Sequence, residues 1–223
     1  MNITIFFYIL IIIFIFYKYK KVNREYMNLL TEKFDIIIIG NAPYDKSKLL
    51  GNKINNYDRV VRFNNFTTEG HEKYIGSKVT DWIVSDYYFL QENINIKNKL
   101  RHYDNLNLKI MIPSKNKSNI YKLNKILKNN NVFNKTKILI KDEDFKIPKK
   151  YNFESNWPST GMLAINYFLK NYSKVTITGF NSFNPKEKSI HYYDKTKQFG
   201  HSYKVESRII KDYINSGRII TFQ

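Results

Sequence analysis

At 223 residues, with 43% apolar and 16% aromatic content, the chain is long enough for one substantial core and too short for two independent domains. It holds no cysteine, which excludes a disulfide framework and any thiolate metal site. Its formal net charge of +18 suits a polyanion, an acidic membrane or a phosphate-bearing substrate, but heavy use of Ile, Asn, Lys, Tyr and Phe with scarce Arg has the character of AT-rich coding, so the charge selects none of them.

Ile3 to Tyr17 form an apolar run broken by Thr4 and two tyrosines, and Lys18, Lys20, Lys21 and Arg24 follow at once. As a helix the run measures roughly 22 Å at about 1.5 Å per residue, short of a ~30 Å hydrocarbon core, a gap that flanking lysines close by snorkelling. No charge precedes it and no small-residue cleavage site follows, so an uncleaved membrane anchor is expected over residues 1–24, with one body over 25–223. The basic cluster after the span argues for a cytoplasmic body by the positive-inside tendency, whereas a lumenal enzyme on one N-terminal anchor carries such charges before it. Asn-x-Ser/Thr triplets at Asn65, Asn116, Asn134 and Asn171 decide nothing in so asparagine-rich a chain.

Along the body the pattern predicts strand Phe34–Ile39, a helix near Lys46–Ile54, and strands Arg59–Phe63, Thr80–Val84 and Leu108–Ile112. Helix Ser118–Leu127, strand Lys137–Ile140, helix Thr160–Leu169, strand Lys174–Thr178, helix Tyr203–Ile214 and strand Arg218–Thr221 follow. Asn93–Lys99 and Lys128–Lys137 read as loops or surface faces. Ile/Val runs without clean alternation imply strands covered on both faces, hence an α/β fold: a mostly parallel, Rossmann-like sheet with helices on both sides. Ligands in such sheets sit at the carboxyl ends of the strands.

Three clusters there carry candidate chemistry. Gly40-Asn41-Ala42-Pro43 turns the chain after the first strand, where glycine permits close backbone approach to a ligand, and Asn64 ends the second strand so that both amides converge on one edge. Pro158-Ser159-Thr160-Gly161 opens an apolar helix whose free amides can bind an anion, or serves simply as a cap, and Gly179-Phe180 ends the strand after it. His191-Tyr192-Tyr193-Asp194 and His201, with Glu206 beyond, hold two of the four histidines; imidazoles could divide acid and base duties at one site, or simply face solvent. His71 and His102 lie in polar segments and read as solvent-facing.

Together these segments resemble, in order, the four sialylmotifs of the eukaryotic-type sialyltransferases, glycosyltransferase family 29. The large motif is similar to Ile36–Asp81, with Gly40-Asn41, Asp58 and Arg62-Phe63-Asn64 at its fixed points, and the small motif to Pro158-Ser159-Thr160-Gly161 through Gly179-Phe180. The third is similar to His191-Tyr192-Tyr193, and the very small motif to His201 followed by Glu206. The resemblance implies a variant A-type glycosyltransferase fold and an inverting, metal-independent transfer of sialic acid or a related ulosonic acid from a CMP-linked donor to a glycan hydroxyl, in the Golgi or endomembrane lumen.

It further implies that Asn41 and Asn64 contact the donor phosphate and ribose region, that Ser159, Thr160 and Gly161 hold the sialyl carboxylate and nucleotide, and that Gly179 and Phe180 line the cytidine pocket. His201 is implied as the general base and His191 as the group stabilising the departing phosphate, assisted by a hydroxyl of Tyr192 or Tyr193; Glu206 is implied as a structural anchor. No cofactor, metal or nucleic acid is expected, and the anchor makes the membrane a partner. Three departures stand out: the family's usual disulfide positions are Ile36 and Tyr172 here, Tyr44 replaces a second donor-binding asparagine of many members, and the His191–His201 interval is short.

Rival readings are a metal-dependent transferase using Asp142 and Asp144 of the Asp142-Glu143-Asp144 run, a basic polyanion binder, and an inactive descendant that still binds nucleotide or glycan.

Overall fold

The computed structural model describes residues 12, 14, 17–19, 35–91, 109–114, 117–129, 136–140, 151, 158–180, 191–192 and 202–222. Seven strands, β1 (Ile36–Ile39), β2 (Arg59–Phe63), β3 (Asp81–Ile83), β4 (Lys109–Ser114), β5 (Thr136–Ile140), β6 (Val175–Thr178) and β7 (Ile219–Thr221), form one sheet in the order β5-β4-β3-β2-β1-β6-β7. Every pairing is parallel. The described helices are α1 (Gly51–Asn55), α2 (Glu72–Ile75), α3 (Asp86–Gln91), α4 (Lys117–Asn129), α5 (Thr160–Asn171) and α6 (Tyr203–Asn215).

The unalternating Ile36–Ile39 run has the expected cause. Ile36 and Ile38 enter the core beneath α5 and α6, while Ile37 and Ile39 pack on the opposite face with Ile54 of α1 and Val60. A strand buried on both sides has no polar face to display, which erases the two-residue period. Phe66, Trp82, Phe89, Ile110, Leu123 and Leu127 build a further cluster beneath α3 and α4.

The sheet is as expected, and two helical expectations are corrected. The helix placed near Lys46–Ile54 begins only at Gly51, because the Asp45 carboxylate accepts from the Ser47 amide (2.9 Å) and hydroxyl (2.7 Å) and the Asp45 carbonyl accepts from the Lys48 amide (3.1 Å). That side-chain-closed turn competes with helix initiation. Helices α2 and α3 were not anticipated; four and six residues are too few to establish a 3.6-residue period.

Where the resemblance puts a disulfide, a different clamp stands. Ile36 is buried opposite Arg59 in the β1–β2 register, and Tyr172 is buried at the end of α5. The Arg59 guanidinium donates to the Tyr172 hydroxyl at 2.5 Å and through Nε to Asp81 at 3.1 Å, pairs with the same carboxylate through Nη2, and lies 5.0 Å from the Phe168 ring centre. Burial lowers the Arg59 pKa, but the bonds and charge of Asp81 and Tyr172 outweigh it, and the net shift is upward. The clamp joins β2, β3 and α5 at the amino ends of the strands, away from the ligand edge.

Among the described residues no helix is long and apolar enough to cross a membrane. Most of the expected anchor lies outside the described residues; Ile12, Phe14 and Tyr17 are exposed helical positions.

Candidate active site

Strand order reverses once, between β1 and β6, which fixes where the sheet opens a crevice at its carboxyl edge. Gly40 and Gly179 leave those two strands and cross in direct contact. The Gly40 amide donates to the Thr178 carbonyl (2.7 Å) and the Ala42 amide to the Gly179 carbonyl (3.0 Å). A Cβ on Gly40 would stand 1.9 Å from the Gly179 carbonyl oxygen, and Gly179 adopts φ +73°. Both glycines are therefore required by the chain crossing itself, in addition to any close approach of a ligand.

Beside the crossing lie the two asparagines. Asn41 is buried and its side-chain amide donates to the Phe63 carbonyl at 3.2 Å, tying the end of β1 to that of β2. Asn64 takes the left-handed conformation at φ 50°, which asparagine tolerates better than most residues. Its Oδ1 accepts from the Ser85 amide (3.1 Å), its carbonyl accepts from Trp82 Nε1 (2.9 Å), and its Nδ2 reaches the Thr160 hydroxyl at a long 3.4 Å. The segment after β3 is steadied by buried Asp86, which accepts from the hydroxyl of Ser114 (2.7 Å) and the amide of Asn119 (3.1 Å). The asparagines thus converge on one edge, and Asn64 faces the start of α5.

Ser159 is the N-cap of α5: its hydroxyl accepts from the Met162 amide at 3.2 Å and donates to Glu206 at 2.6 Å, and its own amide donates to the other Glu206 oxygen at 2.6 Å. Glu206 projects from α6, is fully buried, and brings a carboxylate to the positive end of α5. Thr160 and Gly161 are the first two residues of α5, where helix amides have no partner within the helix itself. Gly161 has a packing reason as well: a Cβ there would stand 2.9 Å from the Phe180 ring, which lies 5.8 Å from that of Phe63.

His191 and Tyr192 come to the same edge. The Tyr192 amide donates to the Asn41 carbonyl at 2.9 Å, and its hydroxyl donates to the Thr67 carbonyl (2.5 Å) and accepts from the Thr67 amide (3.2 Å). A chain of contacts runs from Tyr192 to Asn41, from Asn41 to the Phe63 carbonyl, and from the next residue, Asn64, to Thr160. Tyr193, His201 and the Asp142-Glu143-Asp144 run lie outside the described residues, as do His102 and Asn93–Lys99.

His71, expected to face solvent, is half-buried and bonded through Nδ1 to the Tyr44 hydroxyl, and so was missed. Its partner lies 27 positions away on a turn, a pairing with no local signal in the sequence. Burial, reinforced by Tyr74 and opposed by Lys73, holds the Tyr44 pKa above its ordinary value, so Tyr44 is a neutral hydroxyl. Tyr44 and Tyr74 also line a cavity of about 560 Å³ that spans the Gly40–Gly179 crossing and extends to Ser207 and Lys211 of α6.

A doubly covered parallel sheet with one order reversal, carrying amide donors and a helix start at its carboxyl edge, defines a Rossmann-like fold of the A-type glycosyltransferase variant. Residues 35–218 match the family model described as glycosyltransferase family 29 (sialyltransferase), and the chain belongs to that family. It is 26% identical over 208 residues to the type 2 lactosamine alpha-2,3-sialyltransferase of Homo sapiens and 24% identical to that of Rattus norvegicus, in each case covering 82% of this chain. The chain spans 63% of the length of these relatives.

Among solved structures, a mammalian sialyltransferase in complex with Gal-beta-1-3GalNAc-ortho-nitrophenol superposes with TM-score 0.60 at 21% identity, over 85% of this chain and 69% of that one. The Campylobacter jejuni sialyltransferase CstII in complex with CMP-3FNeuAc gives TM-score 0.58 at 15% identity, over 85% and 81%. These likenesses show the shared fold.

Proposed function

We propose that this chain transfers sialic acid, or a related ulosonic acid, from a CMP-linked donor to a glycan hydroxyl, with inversion and without a metal ion. Family membership supports the class of reaction, and one observation of this chain carries the reading. Asn41 ends the strand beside the order reversal, Asn64 reaches from the end of β2 to Thr160 at the start of α5, and the Tyr192 amide bonds the Asn41 carbonyl, so three of the motif segments meet at one edge of the sheet. Neutral donors at such an edge suit a phosphate and a carboxylate that are already anionic.

In this reading Asn41 and Asn64 face the phosphate and ribose, the Thr160 and Gly161 amides take an anionic oxygen, and Gly179 with Phe180 borders the cytosine. Ser159 acts from behind: its hydroxyl is engaged with Met162 and Glu206, so it fixes the helix start that presents the next two amides. The Tyr192 hydroxyl is engaged with Thr67, which leaves Tyr193 as the tyrosine to assist at the phosphate.

His201 removes the proton of the acceptor hydroxyl as its oxygen attacks the anomeric carbon. The bond to the CMP oxygen breaks on the opposite face, and CMP departs with the electron pair, its charge met by His191 and the amides. CMP leaves as a stabilised anion, so in this reading the reaction needs no divalent cation. The Ile3–Tyr17 run would tether the body of residues 25–223 to an endomembrane, with the acceptor a glycan or glycoconjugate.

Nucleotide binding tests the reading. Cytidine monophosphate is expected to raise the melting temperature of the body in EDTA, and Asn64→Ala to weaken that binding roughly tenfold, the loss of about one charge-assisted hydrogen bond. No stabilisation by cytidine monophosphate, with stabilisation by a UDP- or GDP-sugar plus manganese, would replace this reading by the metal-dependent one.

A further inference from the structure

Residues 191–192 are held against the β1 turn by residues that lie within the large-motif span but are not among its fixed points. Tyr44, on that turn, is hydrogen-bonded through its hydroxyl to Nδ1 of His71, stacks on Tyr74 at 4.9 Å and 27°, and lies 5.6 Å from the Tyr192 ring. His71 meets Tyr192 edge to face at 5.1 Å. The backbone of His71 is fixed in turn: its amide donates to the Thr68 carbonyl (2.8 Å), and its carbonyl accepts from the Tyr74 and Ile75 amides. Arg62, buried in β2, donates to the carbonyls of Ile75 (2.7 Å) and Gly76 (2.9 Å) and so anchors α2 from within the sheet.

His71 occupies the N-cap position of α2, yet its side chain makes no capping bond. The imidazole is turned away from its own helix toward Tyr44 and Tyr192, a use that a cap residue such as serine or aspartate would not serve. The bond joins the Tyr44 hydroxyl and Nδ1, a hydrogen-bonding atom in either tautomer of the ring. Phenylalanine would offer the same edge to Tyr192 without the hydrogen-bonding atom; asparagine would offer a hydrogen-bonding group without the ring.

We propose that His71 is a positioning residue: through its hydrogen bond with Tyr44 and its packing on Tyr192, it sets the segment bearing His191 against the Asn41 carbonyl. The structural statement stands on these contacts alone; its catalytic consequence rests on the transferase reading above. The same contacts give Tyr44, which stands where many relatives have an asparagine, a role in shaping the site through His71.

Hydrogen exchange at the Tyr192 amide, the group that donates to Asn41, tests the proposal in the full chain, with the Ile37 and Ile38 amides of β1 as internal control. In Tyr44→Phe and in His71→Phe the Tyr192 amide is expected to exchange about tenfold faster while the β1 amides are unchanged, and His71→Asn, which keeps a hydrogen-bonding group but loses the ring on Tyr192, is expected to fall between those variants and wild type. Tyr44→Phe combined with His71→Phe should be no worse than either alone, since both remove one bond. In the transfer assay kcat should fall in step with Tyr192 protection while the donor KM holds. Wild-type exchange at Tyr192 in Tyr44→Phe, or strictly additive effects in the double variant, would overturn the proposal. A wild-type protein inactive with every CMP-sugar would overturn the transferase reading instead, and the exchange result would still decide the role of His71.

Discussion

The Ser159 hydroxyl accepts from one helix amide and donates to Glu206, so a residue that composition presents as a cap is also half of a junction between α5 and α6. Removing the carboxylate leaves the half-buried Ser159 amide and hydroxyl without their Glu206 partner. Glu206→Ala is expected to cost about 3 kcal/mol in urea unfolding, the scale of a lost charged hydrogen-bond pair, and Glu206→Gln roughly half of that. Gly40→Ala should be worse still, at about 4 kcal/mol or outright failure to fold, because a methyl group would overlap the Gly179 carbonyl and neither backbone can retreat. At this scale turn chemistry and motif spacing singled out Asn41, Asn64, Thr160 and Gly161, and the fold brings Asn64 to Thr160 and ties Asn41 to the end of the same strand. What local pattern could not give was the reason for each residue. Gly40 and Gly179 serve a chain crossing, Ser159 is held from behind, and His71 draws its meaning from a tyrosine on another segment.

Among the elements, the instructive ones are the clamp at the amino end of the sheet and the shortened α1. A disulfide in the family typically contributes about 2–4 kcal/mol; here buried Asp81, Arg59 and Tyr172 join the same neighbourhood by an ion pair, a hydrogen bond and ring packing. Asp81→Ala should lower stability by about 3–5 kcal/mol, since it strands a partly buried guanidinium, whereas Tyr172→Phe should cost only about 1 kcal/mol because the ring and its packing remain. Chemical denaturation of the two variants separates those values. The departure at Ile36 and Tyr172 was visible in the sequence, but the replacement was not, since Arg59, Asp81 and Tyr172 meet only after β2, β3 and α5 have assembled. In α1 the error had a local cause: the Asp45 side chain closes a turn over Ser47 before the helix can start.

For the molecule as a whole, the doubly covered strand Ile36–Ile39 announced a parallel sheet, and interleaved helices announced layers on both faces. The order β5-β4-β3-β2-β1-β6-β7 was not announced, because it depends on which strands find each other across long stretches of chain. That order matters most for function, since it sets β6 beside β1 and so brings α5, which precedes β6, to the edge where β1 and β2 end. The net charge of +18, by contrast, explains little of this arrangement: the anion site proposed above would consist of amides and a helix start, which keep their polarity at any salt concentration. Donor binding is therefore expected to weaken less than about threefold between 50 and 300 mM salt, as titration of cytidine monophosphate would measure, where a lysine-driven polyanion site would lose orders of magnitude.

The central claim is that these separated segments build one CMP-sugar site with an imidazole base. Its most direct measurement is transfer from CMP-sialic acid to a panel of glycan acceptors by the purified body in EDTA, comparing wild type with His201→Ala. The account predicts turnover in the wild type, loss of at least about a thousandfold in the variant, and cytidine monophosphate binding preserved in both. A variant that keeps transferring, or a wild type that neither binds cytidine monophosphate nor turns over any CMP-sugar, would contradict it.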